Sequence, residues 1–316
     1  MRMLLRVSIC TVFAVFLTSP AWAAPKTFAD IGSDPGKAAR KVWFGPDHAD
    51  FGKIASIGYP QRVGLLSFYI VDTGTYEFSA LNAVYGTPSF TDASGKSYVK
   101  VGESYGLSDR QANIFATEFA ELAVPRMKAL FGARGMTLLT PVEFLESDAQ
   151  IEAYKSFRLP KSGFQTFTET GLKILDKNPH ANGAADGFLM IPTHVFSGNR
   201  DSLRALDALR QKLGLDAFVV VLNTTATDKK SVAYTGTQML FYGPNPVPLP
   251  DNKIQAKFWT AMIPYPSGTY GKGFKGIRIY NWKTKSFDSF DGYEGVIDAV
   301  VSRSLGRIDE EMPKQR

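Results

Sequence analysis

The residues that come closest to a catalytic motif form the pattern G-x-S-x-G, between Gly102 and Gly106. In serine hydrolases this pattern places a nucleophilic serine, here Ser104, on a strained turn between a strand and a helix. The helix after this segment is predicted to begin at Ser108, too late for such a turn. A histidine must also take the serine proton, and only His180 and His194 follow in the chain. Catalysis by Ser104 is therefore one alternative, and a surface turn is the simpler interpretation.

Glycine-rich segments that could hold a phosphate occur without their usual context. Gly271–Gly276 fits G-x-G-x-x-G, but a dinucleotide fingerprint opens a helix, and the residues after it predict a strand. Lys37 and Lys96 resemble phosphate-loop lysines, yet the first lacks the final hydroxyl residue and the second lacks the leading glycine. We therefore predict no nucleotide and no other cofactor.

Metal binding is not predicted either. The chain has three histidines, His48, His180 and His194, and they lie far apart in the sequence. Metal sites on a helix or hairpin need ligands at short, regular spacing. Each histidine is therefore interpreted as an ordinary surface or core residue.

A proline-rich segment could serve as a binding arm. Proline occupies every second position at Pro244, Pro246, Pro248 and Pro250. Fixed φ angles and missing N–H donors keep such a segment extended and outside the interior of a sheet. It is either an arm offered to a partner or a stiff connector between two strands, and the residues leave both readings open.

The N-terminus predicts export. Arg2 and Arg6 are followed by the apolar run Val7–Leu17 and then by Ala21–Ala23, which has small residues where a signal peptidase requires them. The apolar run is too short to cross a bilayer, which takes about 20 residues. We therefore predict a signal peptide at residues 1–23, cleaved after Ala23, and a periplasmic location. Secretion beyond the envelope stays open.

Composition restricts the class of protein further. The one cysteine, Cys10, lies within the predicted signal peptide, so the exported chain is predicted to contain no disulfide. Basic residues number 36 and acidic residues 30, and no run of like charges suggests a nucleic-acid partner. No stretch after the signal peptide is apolar for long enough to predict an integral membrane segment.

Hydrophobic periodicity predicts an α/β fold with a mixed sheet and flanking helices, in which strand and helix alternate before an antiparallel meander and a C-terminal helix. Ser108 and Thr140 each begin a capping box that predicts a helix start. The predicted elements, in chain order, are a strand at Val63–Val71, a helix from Ser108 to Gly132, a strand at Met136–Leu139, a helix from Pro141 to about Phe157, a strand at Gly187–Ile191, a helix from Asp201 to Leu213, strands at Ala217–Leu222, Ser231–Tyr242, Phe258–Tyr265, Gly276–Trp282 and Ser286–Phe290, and a helix from Tyr293 to Leu305.

These elements predict a simple domain organisation. After the signal peptide, residues 24–60 are rich in glycine, proline and aspartate and are predicted to form an extended lead-in. Residues 61–308 are predicted to form a single α/β domain with insertions at 72–101 and 158–185. Residues 309–316 are predicted to be a C-terminal tail.

One stretch resembles a known group of proteins. Leu213–Val221 resembles the signature of leucine, glycine, a small residue and aspartate before a hydrophobic strand found in bacterial envelope proteins of the CsgG, LpoB and TolB-amino-domain type. The meander that follows is similar, and so is the order of elements from Val63 onward. The chain lacks the lipid anchor that most of those proteins carry, and it has extra segments at 72–101 and 158–185.

The resemblance implies a protein without enzymatic activity, because proteins of that type dock to, regulate or build larger envelope machinery. We therefore predict a non-enzymatic periplasmic accessory or partner-binding protein whose partner is another envelope protein. Two alternatives come from other classes: a periplasmic serine hydrolase that uses Ser104, and a periplasmic small-ligand binding protein.

Overall fold

The computed structural model confirms an α/β fold in which helices cover both faces of a mixed sheet. The residues that it describes are 27–40, 42–44, 58–72, 89–91, 97–99, 107–160, 181–191, 200–227, 230–245, 251–254, 262–265, 268–270 and 276–311.

The described residues form seven helices and twelve strands. The helices are α1 (Phe28–Gly32), α2 (Pro35–Arg40), α3 (Asp109–Gly132), α4 (Pro141–Phe144), α5 (Asp148–Lys155), α6 (Arg200–Lys212) and α7 (Tyr293–Glu311). The strands are β1 (Trp43–Phe44), β2 (Arg62–Asp72), β3 (Ser89–Thr91), β4 (Ser97–Val99), β5 (Thr137–Leu139), β6 (Ala181–Ala184), β7 (Ala217–Thr227), β8 (Ser231–Pro244), β9 (Met262–Pro264), β10 (Gly268–Tyr270), β11 (Ile277–Asn281) and β12 (Ser286–Phe287).

Three long strands form the centre of the sheet. β2 and β7 are parallel, and β8 runs antiparallel to β7. β5 and β6 pair with opposite ends of β2, while β9, β10 and β11 pair with successive parts of β8. β1 extends the sheet beyond β10, and β12 forms a hairpin with β11. β3 and β4 pair only with each other among the described strands.

The helical layers explain why most of β2 and the first half of β7 are apolar on both faces. On one face α1, α2, α3 and α7 cover Val219 and Val221, and on the other face α4, α5 and α6 cover Val220 and Leu222. All four side chains are buried, and burying each contributes about 1.5–3 kcal/mol. Continuous apolar strands are typical of a sheet with helices on both faces.

Helix α3 follows the sequence prediction closely. Ser108 accepts a hydrogen bond from the backbone N–H of Gln111, whose side chain accepts one from the N–H of Ser108, as a capping box requires. Its buried stripe repeats every fourth residue, at Phe115, Phe119, Ala123, Met127 and Phe131. Pro125 is exposed, and the helix continues through it to Gly132.

The prediction of one helix from Pro141 to about Phe157 is wrong. Helix α4 ends at Phe144, because Leu145 leaves the helical conformation with φ −87° and ψ 75°. Ser147 then caps a second helix, α5, by accepting a hydrogen bond from the backbone N–H of Gln150. The second cap competes with continuation of the first helix.

The predicted strand at Gly187–Ile191 is also wrong. In the structure β6 lies earlier, at Ala181–Ala184, within the predicted insertion 158–185. After the turn at Gly187 the backbone N–H groups bond to side chains instead of a neighbouring strand. Leu189 donates to the Tyr154 hydroxyl at 2.8 Å, and Ile191 donates to the Ser67 hydroxyl at 3.1 Å.

Both ends of the chain differ from the prediction. The extended lead-in is wrong for residues 28–40, which form α1 and α2 and bury Phe28, Ile31 and Ala38. At the other end α7 continues to Glu311, so the first residues of the predicted tail at 309–316 are helical. The meander and the β11–β12 hairpin are confirmed, and β9 covers only Met262–Pro264 within the described part of the predicted strand 258–265.

Candidate functional site

The residues singled out for catalysis cannot be placed. Ser104, His180 and His194 all lie outside the described residues, and so does His48. Within the described part of the chain, no three histidine, cysteine, aspartate or glutamate side chains are grouped as metal ligands would be.

The proline-rich segment is visible only at its start. Pro244 is the last residue of β8 and pairs with Met262 of β9, so it belongs to the sheet and not to a projecting arm. Pro244 lies beyond Tyr242, the last residue of β8 that pairs with β7, so on that side no neighbouring strand requires its missing N–H donor. Pro246, Pro248 and Pro250 lie outside the described residues.

A cluster of aromatic side chains reaches the surface beside α3, and we call it the aromatic face. It consists of Phe115, Tyr280, Trp282, Phe287 and Phe290. The Phe287 ring centroid lies 5.0 Å from that of Phe115 and 5.1 Å from that of Tyr280. Both pairs have the edge-to-face geometry that aromatic rings prefer. The rings therefore support one another.

Regular elements hold the aromatic face in position. Phe115 lies on α3, while Tyr280 and Phe287 pair directly across the β11–β12 hairpin. Trp282 donates its backbone N–H to the carbonyl oxygen of Lys230 in the turn before β8, at 3.0 Å. Arg278 also bonds Asp288 with two nitrogens, which fixes the chain after β12. These contacts join the hairpin to the residue before β8 and to the chain after β12.

The aromatic face is partly open to solvent. Phe287 is 43% exposed, and Ile114, beside Phe115 on α3, is 45% exposed. Exposed Lys230, Lys283 and Lys285 lie on the two turns next to it. An apolar centre beside charged residues is the usual anatomy of a protein–protein interface.

The rings continue inward from the aromatic face into the core. Phe290 lies 4.9 Å from Phe119 and 6.3 Å from Phe28, measured between ring centroids. Both of these rings contact Tyr234 and Tyr293. An unbroken series of ring contacts therefore joins the surface to the sheet.

The series ends at a buried network of hydroxyl groups. The side-chain oxygen of Asn223 accepts hydrogen bonds from the hydroxyls of Thr237 and Tyr293, and Tyr234 bonds Thr237 at 2.8 Å. Burial raises the pKa of the Tyr293 and Tyr234 hydroxyls well above the ordinary value for tyrosine. Both groups therefore stay protonated at neutral pH and act as hydrogen-bond donors, not as bases.

A buried aspartate that sequence reasoning missed lies at the carboxyl end of β2. Asp72 accepts three hydrogen bonds of 2.9 Å, from the Leu107 backbone N–H and from the hydroxyls of Thr225 and Thr227. Ligands of α/β proteins often bind at this end of parallel strands, but here the protein supplies the donors. The bond to Leu107 joins the end of β2 to the residues that begin α3. A carboxylate directly after an apolar strand was the available signal in the sequence.

The leucine-glycine-aspartate stretch proves to be a structural clasp. Gly214 adopts φ +67° and ends helix α6, a conformation that glycine adopts at little cost. Asp216 then accepts hydrogen bonds from the backbone N–H groups of Gln61 and Arg62, at 2.9 and 2.8 Å. The motif therefore ties the start of β7 to the start of β2.

Replacing Asp216 with alanine is expected to lower the free energy of unfolding by about 1–2 kcal/mol. Hydrogen bonds to a charged acceptor contribute about 1.5–3 kcal/mol when buried, and the exposure of Asp216 lowers that value. Urea unfolding followed by circular dichroism measures the change. Asp291→Ala, which removes another exposed aspartate, serves as the control. Equal stability of the two variants would contradict the clasp.

Comparisons with known proteins add no relative. No family, no curated protein and no solved structure matches the chain. The resemblance to the CsgG, LpoB and TolB-amino-domain type stays a prediction that rests on residues 213–221 and on the order of elements. Across the described residues, no helix combines the length and the apolar character needed to span a membrane.

Proposed function

We propose that this chain is a non-enzymatic accessory protein of the bacterial cell envelope, exported to the periplasm, which binds another envelope protein through the aromatic face. The observation that carries the proposal is the cluster of mutually supporting rings at the surface, with Phe287 more than two-fifths exposed. Export is supported by the order of charged, apolar and small residues at 1–23.

The geometry of the rings favours binding. Aromatic residues are enriched among the residues that dominate binding energy, because a large ring buries much apolar area. Binding costs less free energy when side chains are already ordered. Phe287 is ordered by its ring contacts with Phe115 and Tyr280. Phe287 is exposed, and Tyr280, Trp282 and Phe290 around it are partly exposed. Adjoining apolar side chains at the surface mark an interaction site more strongly than a single exposed one.

The buried polar groups of the sheet have structural partners. Asp72 accepts hydrogen bonds from three protein donors. The hydroxyls of Tyr234 and Tyr293 are held protonated by burial, which raises their pKa. Asp72, Tyr234 and Tyr293 are also completely buried, so none of these three groups is exposed as a nucleophile or a general base must be.

Site-specific photo-crosslinking in living cells tests the proposal. A photoreactive phenylalanine analogue at position 287 or at position 114 is expected to give the same cross-linked product with one envelope protein, identified by mass spectrometry. Val142 on α4 provides the matched control, because it is 87% exposed and lies outside the aromatic face. The analogue at position 142 is expected to give no such product.

A competition variant makes the test sharper. Trp282→Ser removes one ring of the aromatic face while leaving the analogue at position 114, and it is expected to reduce the cross-link at least about fivefold, as loss of a binding hot spot does. Equal cross-linking from positions 114 and 142 would contradict the assignment of the surface. Covalent labelling of Ser104 by a fluorophosphonate probe would contradict the absence of enzymatic activity and would favour the serine hydrolase alternative.

A further inference from the structure

We infer that the N-terminal arm, formed by α1, α2 and β1, controls the shape of the aromatic face. The face is complete only while Phe28 is packed beside Phe290. The inference rests on the proposed function, because it concerns regulation of the surface that is proposed to bind the partner.

The arm is attached to the core at several points. Thr27 and Asp30 form a capping box that starts α1, and Phe28 and Ile31 are buried beneath it. β1 adds two residues to the edge of the sheet at β10. Because β1 pairs through only two residues while Phe28, Ile31 and Ala38 are buried, the arm is held by side-chain packing more than by backbone pairing.

Two glycines let α1 approach α7. A Cβ atom on Gly295 would lie 2.8 Å from the Cα of Gly32, and one on Gly292 would lie 2.7 Å from the backbone nitrogen of Ala29. A Cβ atom essentially never lies within 3.0 Å of such a heavy atom, so a side chain at either position would force the two helices to shift. Gly292 also adopts φ +92°, which side chains rarely permit. The docking site for the arm is therefore built into the start of α7.

Phe290 connects the arm to the aromatic face. It lies between β12 and α7, outside regular structure, and its ring contacts Phe28, Phe119 and Phe287. Phe28 is nearly parallel to it, with an angle of 18° between the rings. When Phe28 leaves, Phe290 loses one of these neighbours and is free to move into the vacated space. Phe287 then loses its support on that side.

This arrangement couples the arm to partner binding. A partner that fits the face in its present shape binds more tightly when the arm is docked. Thermodynamic reciprocity then requires that the partner strengthen docking of the arm by the same factor. In this inference the arm has two states, docked and undocked. Phe290 links arm docking to partner binding, because it contacts both the arm and the aromatic face.

The fluorescence of Trp282 tests the coupling without a partner. Replacing Trp22, Trp43 and Trp259 with phenylalanine in the full chain leaves Trp282 as the one tryptophan, 4.8 Å from Tyr280 within the aromatic face. In this background Phe28→Ala is expected to raise the acrylamide quenching constant of Trp282 about twofold under native conditions, because local loosening exposes the ring to quencher.

A matched control separates this local effect from a general loss of stability. Phe144 is also fully buried but belongs to the opposite helical layer, where it packs on Tyr154. Phe144→Ala is therefore expected to leave Trp282 quenching unchanged. Gly295→Ala is a second way to undock the arm, because its added methyl pushes against Gly32 while every ring remains. If Phe28→Ala does not fold, Trp282 quenching in Gly295→Ala tests the inference.

Quenching that is the same in Gly295→Ala, Phe28→Ala and the reference would overturn the inference, as would an equal rise in Phe144→Ala. The result is independent of the proposed function, because no partner takes part in the measurement. Missing cross-links at positions 114 and 287 would contradict partner binding and would leave the Trp282 result standing.

Discussion

Replacing Asp72 with alanine is expected to lower the free energy of unfolding by about 3–5 kcal/mol, because three donors in the interior lose the acceptor that they share. Asp72 is fully buried, and its two carboxylate oxygens accept hydrogen bonds from Leu107, Thr225 and Thr227. The substitution removes the carboxylate that two hydroxyls and one backbone N–H share as an acceptor. Each such group costs about 1–3 kcal/mol, and relief of the buried charge offsets part of the sum.

Guanidinium unfolding followed by circular dichroism measures this change. Asp186→Ala is the matched control, because Asp186 is exposed, and it is expected to change stability by less than about 0.5 kcal/mol. Asp72→Asn keeps one acceptor oxygen, and its free energy of unfolding is expected to lie between those of Asp72→Ala and Asp186→Ala. A difference below about 1 kcal/mol between the Asp72→Ala and Asp186→Ala variants would show that the three hydrogen bonds are not important for stability.

A local measurement distinguishes loss of the Asp72 hydrogen bonds from a general loss of core packing. The Leu107 backbone N–H donates to Asp72 just before α3 begins. In Asp72→Ala its hydrogen exchange is expected to accelerate far more than that of Val220, in the centre of β7. Equal acceleration at both amides would mean that the variant loses only global stability.

The correct predictions from the sequence concern features encoded by neighbouring residues. The capping box of Ser108 and Gln111 lies within one helical turn, and the buried strand at Val63–Val71 has Ser67 as its one polar side chain apart from the Tyr69 hydroxyl. Gly214 ends a helix because its backbone conformation is costly for other residues. Local signals of this kind act before any tertiary contact forms, so reading them needs no knowledge of the fold.

The wrong predictions concern features set by distant residues. Leu189 and Ile191 look like part of a strand, yet their N–H groups bond to Tyr154 and Ser67, which lie far away in the sequence. A bulge in β2 between Leu65 and Ser67 allows the Tyr154 hydroxyl to reach the carbonyl oxygen of Leu66. No pattern near residue 190 records these contacts.

The aromatic face could not be predicted for the same reason. Phe115 fits the core stripe of α3, and Phe287 belongs to a hairpin near the other end of the chain. Only the pairing of β11 with β8 brings the hairpin beside α3. Ser104, the residue that sequence patterns favoured for chemistry, belongs to a motif of three specified positions within a glycine-rich chain. Short motifs of this kind arise by chance. A surface built from distant residues can be recognised only once the whole fold is known.

Replacing Phe28 with alanine is expected to destabilise the protein by about 3–5 kcal/mol, the usual cost of truncating a buried phenylalanine. The sequence alone does not predict such a cost, because it predicts an extended lead-in at residues 24–60. Phe28 is completely buried, and its ring lies 5.1 Å from Tyr234 and 5.5 Å from Tyr293 between centroids. The cost combines lost apolar burial with a cavity that α7 and α3 cannot close without moving.

Phe287→Ala provides the matched control, because it truncates the same side chain where 43% of it is already exposed. Its expected cost is about 1 kcal/mol, since less apolar area returns to water and no internal cavity forms. Urea unfolding of both variants, with the m-value checked for two-state behaviour, gives the comparison. If the arm were only a lead-in on the surface, the order would reverse: Phe28→Ala would be nearly neutral, and Phe287→Ala would be the costlier change.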